Sequence, residues 1–311
     1  MRSTKTREEL AENLIVFAGM PRTGSTSLFH ILGQHPAIFR PFRKEMGYFL
    51  FNHHKGEHWY LRAYAEAAPR QRCIDITPEY FFDPSAVEKI STFGPGVRVV
   101  IGVRDPATFA VSLHREYGKR YTVPPLETFV ESYSYSRGSA SIHFSLRSGD
   151  IRKMLRLYHA TFGGRLFLYD FAAFSADPLS VLQQLETFMD IEPFFTEQTF
   201  RNVVMNTAGR STHRWLSALL SAEPLIDSAT RILPAALLRR LAAVVYSGSG
   251  KAKELKLPPP PEWMIAMLQE DRRFIEELFR GSAVISGDER SMGEEFVKPR
   301  PEQSPGSPAR K

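Results

Sequence analysis

Short apolar runs alternate with helix-spaced apolar positions through the first half of the chain, which predicts a parallel sheet built from βα units. LIVFAG (14–19) is apolar throughout, so it reads as a strand buried on both faces. STSLFHILGQ follows, with Leu28, Ile31 and Leu32 on one helical face, and it stops before Pro36. RCIDI (72–76) and VRVVIGV (97–103) predict two more strands, and SAVEKISTFG between them predicts a helix ended by Gly94. From Pro106, PATFAVSLHREYGK predicts a helix with Asp105 as N-cap and proline at its first position.

Further along, YSRGSASI (135–142) reads as a mobile loop, RKMLRLYHATFG as a helix, RLFLYDF (165–171) as a fourth strand and DPLSVLQQLETFM as another helix. NVVMNTAGRST (202–212) is polar and carries glycine, which predicts a loop. Helical patterns near 213–220, 234–246 and 262–280 come next, interrupted by KLPPPP. The amphipathic stretches between 213 and 246 could cover a cleft, pair with another subunit or touch a membrane surface; packing on the core is the plainest reading. No internal repeat is present. The expected architecture is one α/β domain over 1–285, a three-layer fold of P-loop type with a central parallel sheet flanked by helices. A helical extension begins at about 213, and the proline- and charge-rich residues 286–311 read as a disordered tail.

Composition narrows the class only a little. Apolar residues make up 43% and charged residues 24%, which is ordinary for a soluble protein. No apolar run is long enough to span a bilayer, the start MRSTKTREEL has no signal-peptide core, and Cys73 is the single cysteine. Together these predict a cytoplasmic protein without a disulfide framework. The net charge of +6 and pI near 9.4 favour polyanions. Nucleic acid is not an expected partner, because no zinc-finger pattern, aromatic RNP motif or dense basic run appears.

The chemistry concentrates at VFAGMPRTGSTSL (16–28). Gly19 and Gly24 have the spacing of a phosphate-cradling loop and Thr26 stands where its hydroxyl belongs, but Ser25 replaces the lysine that would reach a γ-phosphate. A glycine turn feeding a helix N-terminus binds anions through free N–H groups and a partial positive charge. Thr23, Ser25 and Thr26 add hydroxyls there, and Arg22 adds a permanent charge. An ordinary βα turn is the plain alternative. A second cation, Arg104, leaves the end of VVIGV with Ser112 two turns into the next helix, a sensible phosphate clamp that repels magnesium. Two separate anion sites at neighbouring strand ends imply a ligand phosphorylated at two places.

PRTGSTSL followed by VVIGVRDPATFAVSLHREY resembles the 5′- and 3′-phosphate motifs of sulfotransferases that use 3′-phosphoadenosine 5′-phosphosulfate (PAPS). RKEMGYF and DITPEYF are similar to the segments between those motifs in heparan-sulfate-type and bacterial members, and AGRST resembles a cofactor-closing loop. The resemblance covers roughly 12 to 215. It implies that Arg22, Thr23, Gly24, Ser25 and Thr26 surround the 5′-phosphosulfate and that Arg104 with Ser112 clamps the 3′-phosphate, with Gly209 and Arg210 as further phosphate contacts. Arg22 stands where the family usually has lysine, which keeps the charge and changes its shape. The implied reaction is sulfuryl transfer from PAPS to a hydroxyl or amine of a carbohydrate or small metabolite, leaving adenosine 3′,5′-bisphosphate, with no metal.

By the same resemblance Glu45 is the general base that takes the acceptor proton, and Arg22 is the second catalytic residue. His53, His54 and His58 of NHHKGEH compete as bases, His53 and His54 also as acceptor contacts, and a solvated-loop reading of Lys44 and Glu45 stays open. Asp75 would orient Arg22 or the acceptor, or merely cap a turn. Ile76 stands where related enzymes often carry lysine, which argues against a strongly polyanionic acceptor. Two other readings keep the anion loop: a divergent P-loop kinase using ATP and magnesium, and a non-catalytic anion-binding protein.

Overall fold

The computed structural model describes residues 5–137, 140–208, 257–280 and 284–286. In chain order the elements are α1 (Arg7–Ala11), β1 (Leu14–Gly19), α2 (Ser25–Leu32), β2 (Ile38–Phe39), α3 (Glu57–Arg62), β3 (Arg72–Ile76), α4 (Pro84–Phe93), β4 (Arg98–Val103), α5 (Pro106–Tyr117) and α6 (Leu126–Glu131). They continue with β5 (Tyr133–Arg137), β6 (Ala140–Phe144), α7 (Asp150–Phe162), β7 (Leu166–Asp170), α8 (Phe171–Ala176), α9 (Pro178–Met189) and α10 (Glu197–Ala208). After the undescribed stretch come α11 (Glu262–Met267), α12 (Gln269–Leu278) and β8 (Val284–Ser286).

The main sheet runs β2-β3-β1-β4-β7-β8, parallel except for β8 against β7. Successive side chains of a strand point to opposite faces, and in β1 both faces are dry. Leu14, Val16 and Ala18 enter one core with residues of α4, α5 and α7, while Ile15 and Phe17 enter another with α2 and α9. Two cores on the two faces of one sheet make a three-layer α/β fold, as the alternation of apolar runs predicts. Capping agrees as well: Asp105 Oδ1 accepts from Thr108 N at 2.9 Å and Pro106 opens α5.

From β1 the chain moves towards β3, whereas from β4 it moves towards β7, so the direction of winding switches between β1 and β4. Ligands of open α/β sheets bind at the carboxyl ends of the strands on either side of such a switch. The first residues beyond these two strands therefore face one crevice, and they include Arg22 and Arg104.

Two expectations are corrected. Residues 135–142 are not a loop but belong largely to an antiparallel hairpin, in which Tyr133 pairs with Phe144 and Tyr135 with Ile142. Alternation is the reason: Tyr133, Tyr135, Ile142 and Phe144 are buried while Ser134, Ser136 and His143 are exposed. Residues 202–208, expected in a loop, continue α10; Thr199 N donates to Thr196 Oγ1 at 3.2 Å where the helix begins. Ser286, the first residue of the expected tail, ends β8. Gly209, Arg210, the helical patterns near 213–220 and 234–246, and residues 287–311 lie outside the described residues. Among the described residues no helix is long and apolar enough to cross a membrane.

Candidate active site

The loop after β1 owes its course to close approaches. A Cβ on Gly19 would stand 2.4 Å from Phe81 Cβ, and Gly24 caps α2 with φ +86°. Arg22 lies in the left-handed region at φ +66°. Thr23 is buried: its hydroxyl donates to the Met20 carbonyl at 2.6 Å, and its own carbonyl accepts from the Tyr169 hydroxyl at 2.8 Å. The expectation that the Thr23 side chain lines the anion cradle is corrected accordingly, since that hydroxyl shapes the loop from within. Ser25 and Thr26 open α2, half-buried and exposed respectively, where unpaired helical N–H groups gather.

Arg22 Nε donates to Ser112 Oγ at 3.3 Å, and Arg104 Nη1 reaches the same oxygen at 3.5 Å. Arg104 Nη1 also donates to the Arg22 carbonyl at 3.1 Å, and its guanidinium stands 5.0 Å above the Phe171 ring. The two anion sites read as separate in the sequence are thus joined through buried Ser112. Burial, and next the Arg22 charge, hold the Arg104 pKa below the ordinary arginine value, so an anion placed between the two cations relieves a standing repulsion.

Glu45 follows β2 at φ +61°, with its N–H donating to the Ile76 carbonyl at 3.0 Å, and this bond fixes its loop to the end of β3. Both carboxylate oxygens are engaged. Oε1 pairs with Lys44 Nζ, and Oε2 accepts from Arg137 Nη2 at 2.8 Å. Arg137 Nη1 donates at 2.7 Å to Glu79 Oε1, and the guanidinium stacks 4.2 Å from the Phe51 ring centre. One arginine from the hairpin therefore ties two carboxylates together. Burial alone would push Glu45 up, yet Lys44 and Arg137 hold its carboxyl well below the usual range. Glu79 moves the other way, pushed up by burial and then by the Glu45 charge.

These groups share one cleft of about 100 Å³, lined by Arg22, Ser25 and Thr26 of the loop together with Glu45, Glu79 and Arg137. A larger cavity of about 680 Å³ opens beside Arg104 and is bordered by Thr108, Phe171 and Arg272. The Arg22–Ser112–Arg104 chain lies between the two.

Asp75 is not in the cleft. It is fully buried, with Oδ2 accepting from Tyr60 and Tyr80 at 2.9 and 3.0 Å and Oδ1 from Thr77 at 2.7 Å. Burial outweighs these three donors and pushes its carboxyl up to about 6. The expectation that it orients Arg22 or the acceptor is corrected: three internal hydroxyls occupy its oxygens. His53 and His54 are exposed on a short 3-10 turn, where His53 Nδ1 is 3.3 Å from the Tyr48 carbonyl, and neither lines the cleft. Among the described residues no group of three His, Cys, Asp or Glu is placed to hold a metal ion. Gly209 and Arg210 lie outside the described residues.

Sequence reasoning missed Arg137, Glu79 and Glu116. Arg137 was legible only through the alternation of YSYSR, and its partners are 58 and 92 residues away. Glu116 Oε2, on α5, lies 3.4 Å from Arg22 Nη1, a contact no local pattern announces.

No family model matches the chain. Among curated proteins it is similar to heparan sulfate glucosamine 3-O-sulfotransferase 3B1 of Mus musculus, 26% identical over 202 residues that make up 62% of this chain and 49% of the relative. Heparan sulfate glucosamine 3-O-sulfotransferase 5 of Homo sapiens is 24% identical over 201 residues, 60% of this chain and 55% of the relative. The chain spans about half the length of the curated relatives it matches. Among solved structures, a sulfotransferase from Alicyclobacillus acidocaldarius aligns with 72% of this chain and 94% of its own at 18% identity and a TM-score of 0.46. Mouse sulfotransferase SULT7A1 complexed with PAP aligns with 89% of this chain and 86% of its own at 14% identity and a TM-score of 0.45. The likeness in sequence is thus to heparan sulfate 3-O-sulfotransferases, over about 200 residues.

Proposed function

We propose that the protein is a sulfotransferase that moves a sulfuryl group from PAPS to an acceptor hydroxyl, with Glu45 as general base. One observation carries the reading: the anion loop (Arg22, Ser25, Thr26) and Glu45 line one and the same cleft. The residues fit the sulfo donor. Arg104 and Ser112 offer a cation and a buried hydroxyl to a 3′-phosphate, and the cavity of about 680 Å³ beside them has the size of a nucleotide site. Arg22, Ser25 and Thr26 line the acceptor cleft, and Arg22 is joined through Ser112 to Arg104 at the larger cavity.

In the proposed reaction the acceptor O–H gives its proton to a Glu45 carboxylate oxygen as the acceptor oxygen bonds to sulfur. The bond from sulfur to the bridging oxygen of the 5′-phosphate breaks, and its electrons remain on that phosphate. Arg22 and the N-terminus of α2 stabilise the charge gathering there. Arginine holds the charge without giving up a proton, so the leaving group departs as the anion.

A carbohydrate hydroxyl is the proposed acceptor, in keeping with the heparan sulfate in the names of the similar enzymes. The kinase reading is disfavoured by Ser25 in the lysine position and by Arg104 at the strand end where magnesium would need carboxylates. Calorimetric titration separates the two: the account expects tight binding of adenosine 3′,5′-bisphosphate and weak binding of ATP with magnesium. The reverse order would overturn it.

A further inference from the structure

A carboxylate lining the acceptor cleft has one buried oxygen with no hydrogen-bond partner among the described residues. Glu79 lines the cleft beside Glu45; its Oε1 accepts from Arg137, while its Oε2 is buried with no hydrogen-bond partner among the described residues. A buried acceptor left unpaired costs roughly 1–3 kcal/mol, so such an atom calls for a ligand or a role.

The cations of the same cleft are all engaged. Arg22 and Arg120 lie 3.4 and 3.9 Å from Glu116, Lys44 pairs with Glu45, and Arg137 bridges Glu45 and Glu79. With Arg22 assigned to the sulfo donor, Lys44, Arg120 and Arg137 face Glu45, Glu79 and Glu116, so the acceptor side is balanced in charge. Lysine is absent from the end of β3, where Ile76 is buried. Tyr117, Tyr121 and Tyr135 complete the wall with aromatic surface and hydroxyls. A sulfated acceptor would find no uncommitted cation here and would lie beside the Glu79 carboxylate.

We infer that Glu79 is a specificity-determining residue that selects an uncharged, hydroxyl-rich acceptor, its Oε2 accepting a hydrogen bond from a hydroxyl next to the one that is sulfated. The inference rests on the sulfotransferase reading and adds the acceptor class to it. Selection comes from both sides: a hydroxyl satisfies the orphan oxygen, and a sulfate in the same place is repelled. Glu79 acts on binding, while proton removal belongs to Glu45.

The test is a set of neutral oligosaccharides, each paired with the same sugar bearing one sulfate ester, with PAPS as sulfo donor and release of adenosine 3′,5′-bisphosphate as readout. The neutral member of a pair should have a kcat/KM about tenfold higher or more, the worth of one satisfied buried acceptor. Glu79→Gln should raise KM for the neutral member and narrow the gap by about threefold or more, with nucleotide affinity unchanged as evidence of an intact fold. Glu79→Asp, which keeps the charge, should retain the preference. Equal or better use of the sulfated sugars would overturn the inference, as would a Glu79→Gln enzyme that slows both members alike. Turnover of no sugar while the nucleotide still binds also overturns it and leaves the donor assignment standing. Loss of nucleotide binding in the unmutated protein instead removes the sulfotransferase reading itself.

Discussion

Arg137 Nη2 donates to Glu45 Oε2 at 2.8 Å, joining the hairpin to the proposed base across 92 residues of sequence. The contact has two consequences. It holds the carboxylate within the cleft that the anion loop also lines, and it keeps that carboxylate a weak base until the guanidinium or Lys44 loosens its hold.

Arg137→Ala should therefore slow turnover by roughly ten- to hundredfold through misplacement of Glu45. The sign of the pH effect follows from the pairing. Glu45 is held below the usual carboxylate range, so removing Arg137 raises its pKa and moves the acid limb of the kcat/KM profile to higher pH. A pH series on the variant, with nucleotide affinity as the folding control, checks both. A slower enzyme with an unmoved acid limb would mean that Arg137 serves the fold alone.

Arg104→Ala should erase most of the preference for adenosine 3′,5′-bisphosphate over adenosine 5′-monophosphate. A charge-assisted contact in a partly dehydrated site is worth about 1.5–3 kcal/mol, or about one to two decades in affinity. Titration of both nucleotides into the parent and the variant measures it. Equal affinity of the parent for the two would remove Arg104 and Ser112 from the 3′-phosphate assignment.

Asp75 makes a prediction about stability. Its folded carboxyl is pushed up to about 6, above the unfolded value, so the stability it contributes is present below about pH 4 and lost as pH rises through 6. Across that window the parent should lose roughly 3 kcal/mol relative to Asp75→Asn, which has no carboxyl to ionise. Denaturant unfolding of both proteins at several pH values from 4 to 7 gives the difference directly. A constant difference would show that the three hydroxyls already compensate the buried charge.

Four of the six strands of the main sheet were legible because a buried parallel strand needs a largely apolar run, which LIVFAG, RCIDI, VRVVIGV and RLFLYDF supply, whereas the two-residue β2 and the short β8 carry no such signal. Asp105 and Pro106 marked the start of α5 for an equally local reason. The hairpin escaped because the serines and Arg137 of YSYSR obscured a period of two, and the Gly138 beside it suggested a loop. With the hairpin went Arg137, and with Arg137 the second carboxylate, Glu79. Asp75 was misplaced for a different cause: a carboxylate at a strand end looks functional until Tyr60, Thr77 and Tyr80 are seen to enclose it. Local chemistry pointed to the anion loop, and the resemblance of RKEMGYF pointed to Glu45. The long-range pairs that set the acceptor side were visible only in three dimensions.

The central claim is that Glu45 takes the acceptor proton, and Glu45→Gln tests it most directly. Glutamine keeps the size and the contact with Arg137 but cannot accept a proton at neutral pH. Under conditions where chemistry limits the rate, the account predicts near-normal affinity for adenosine 3′,5′-bisphosphate and turnover lower by about two to four decades, the range of general base catalysis. A Glu45→Gln enzyme turning over at the parent rate would contradict it.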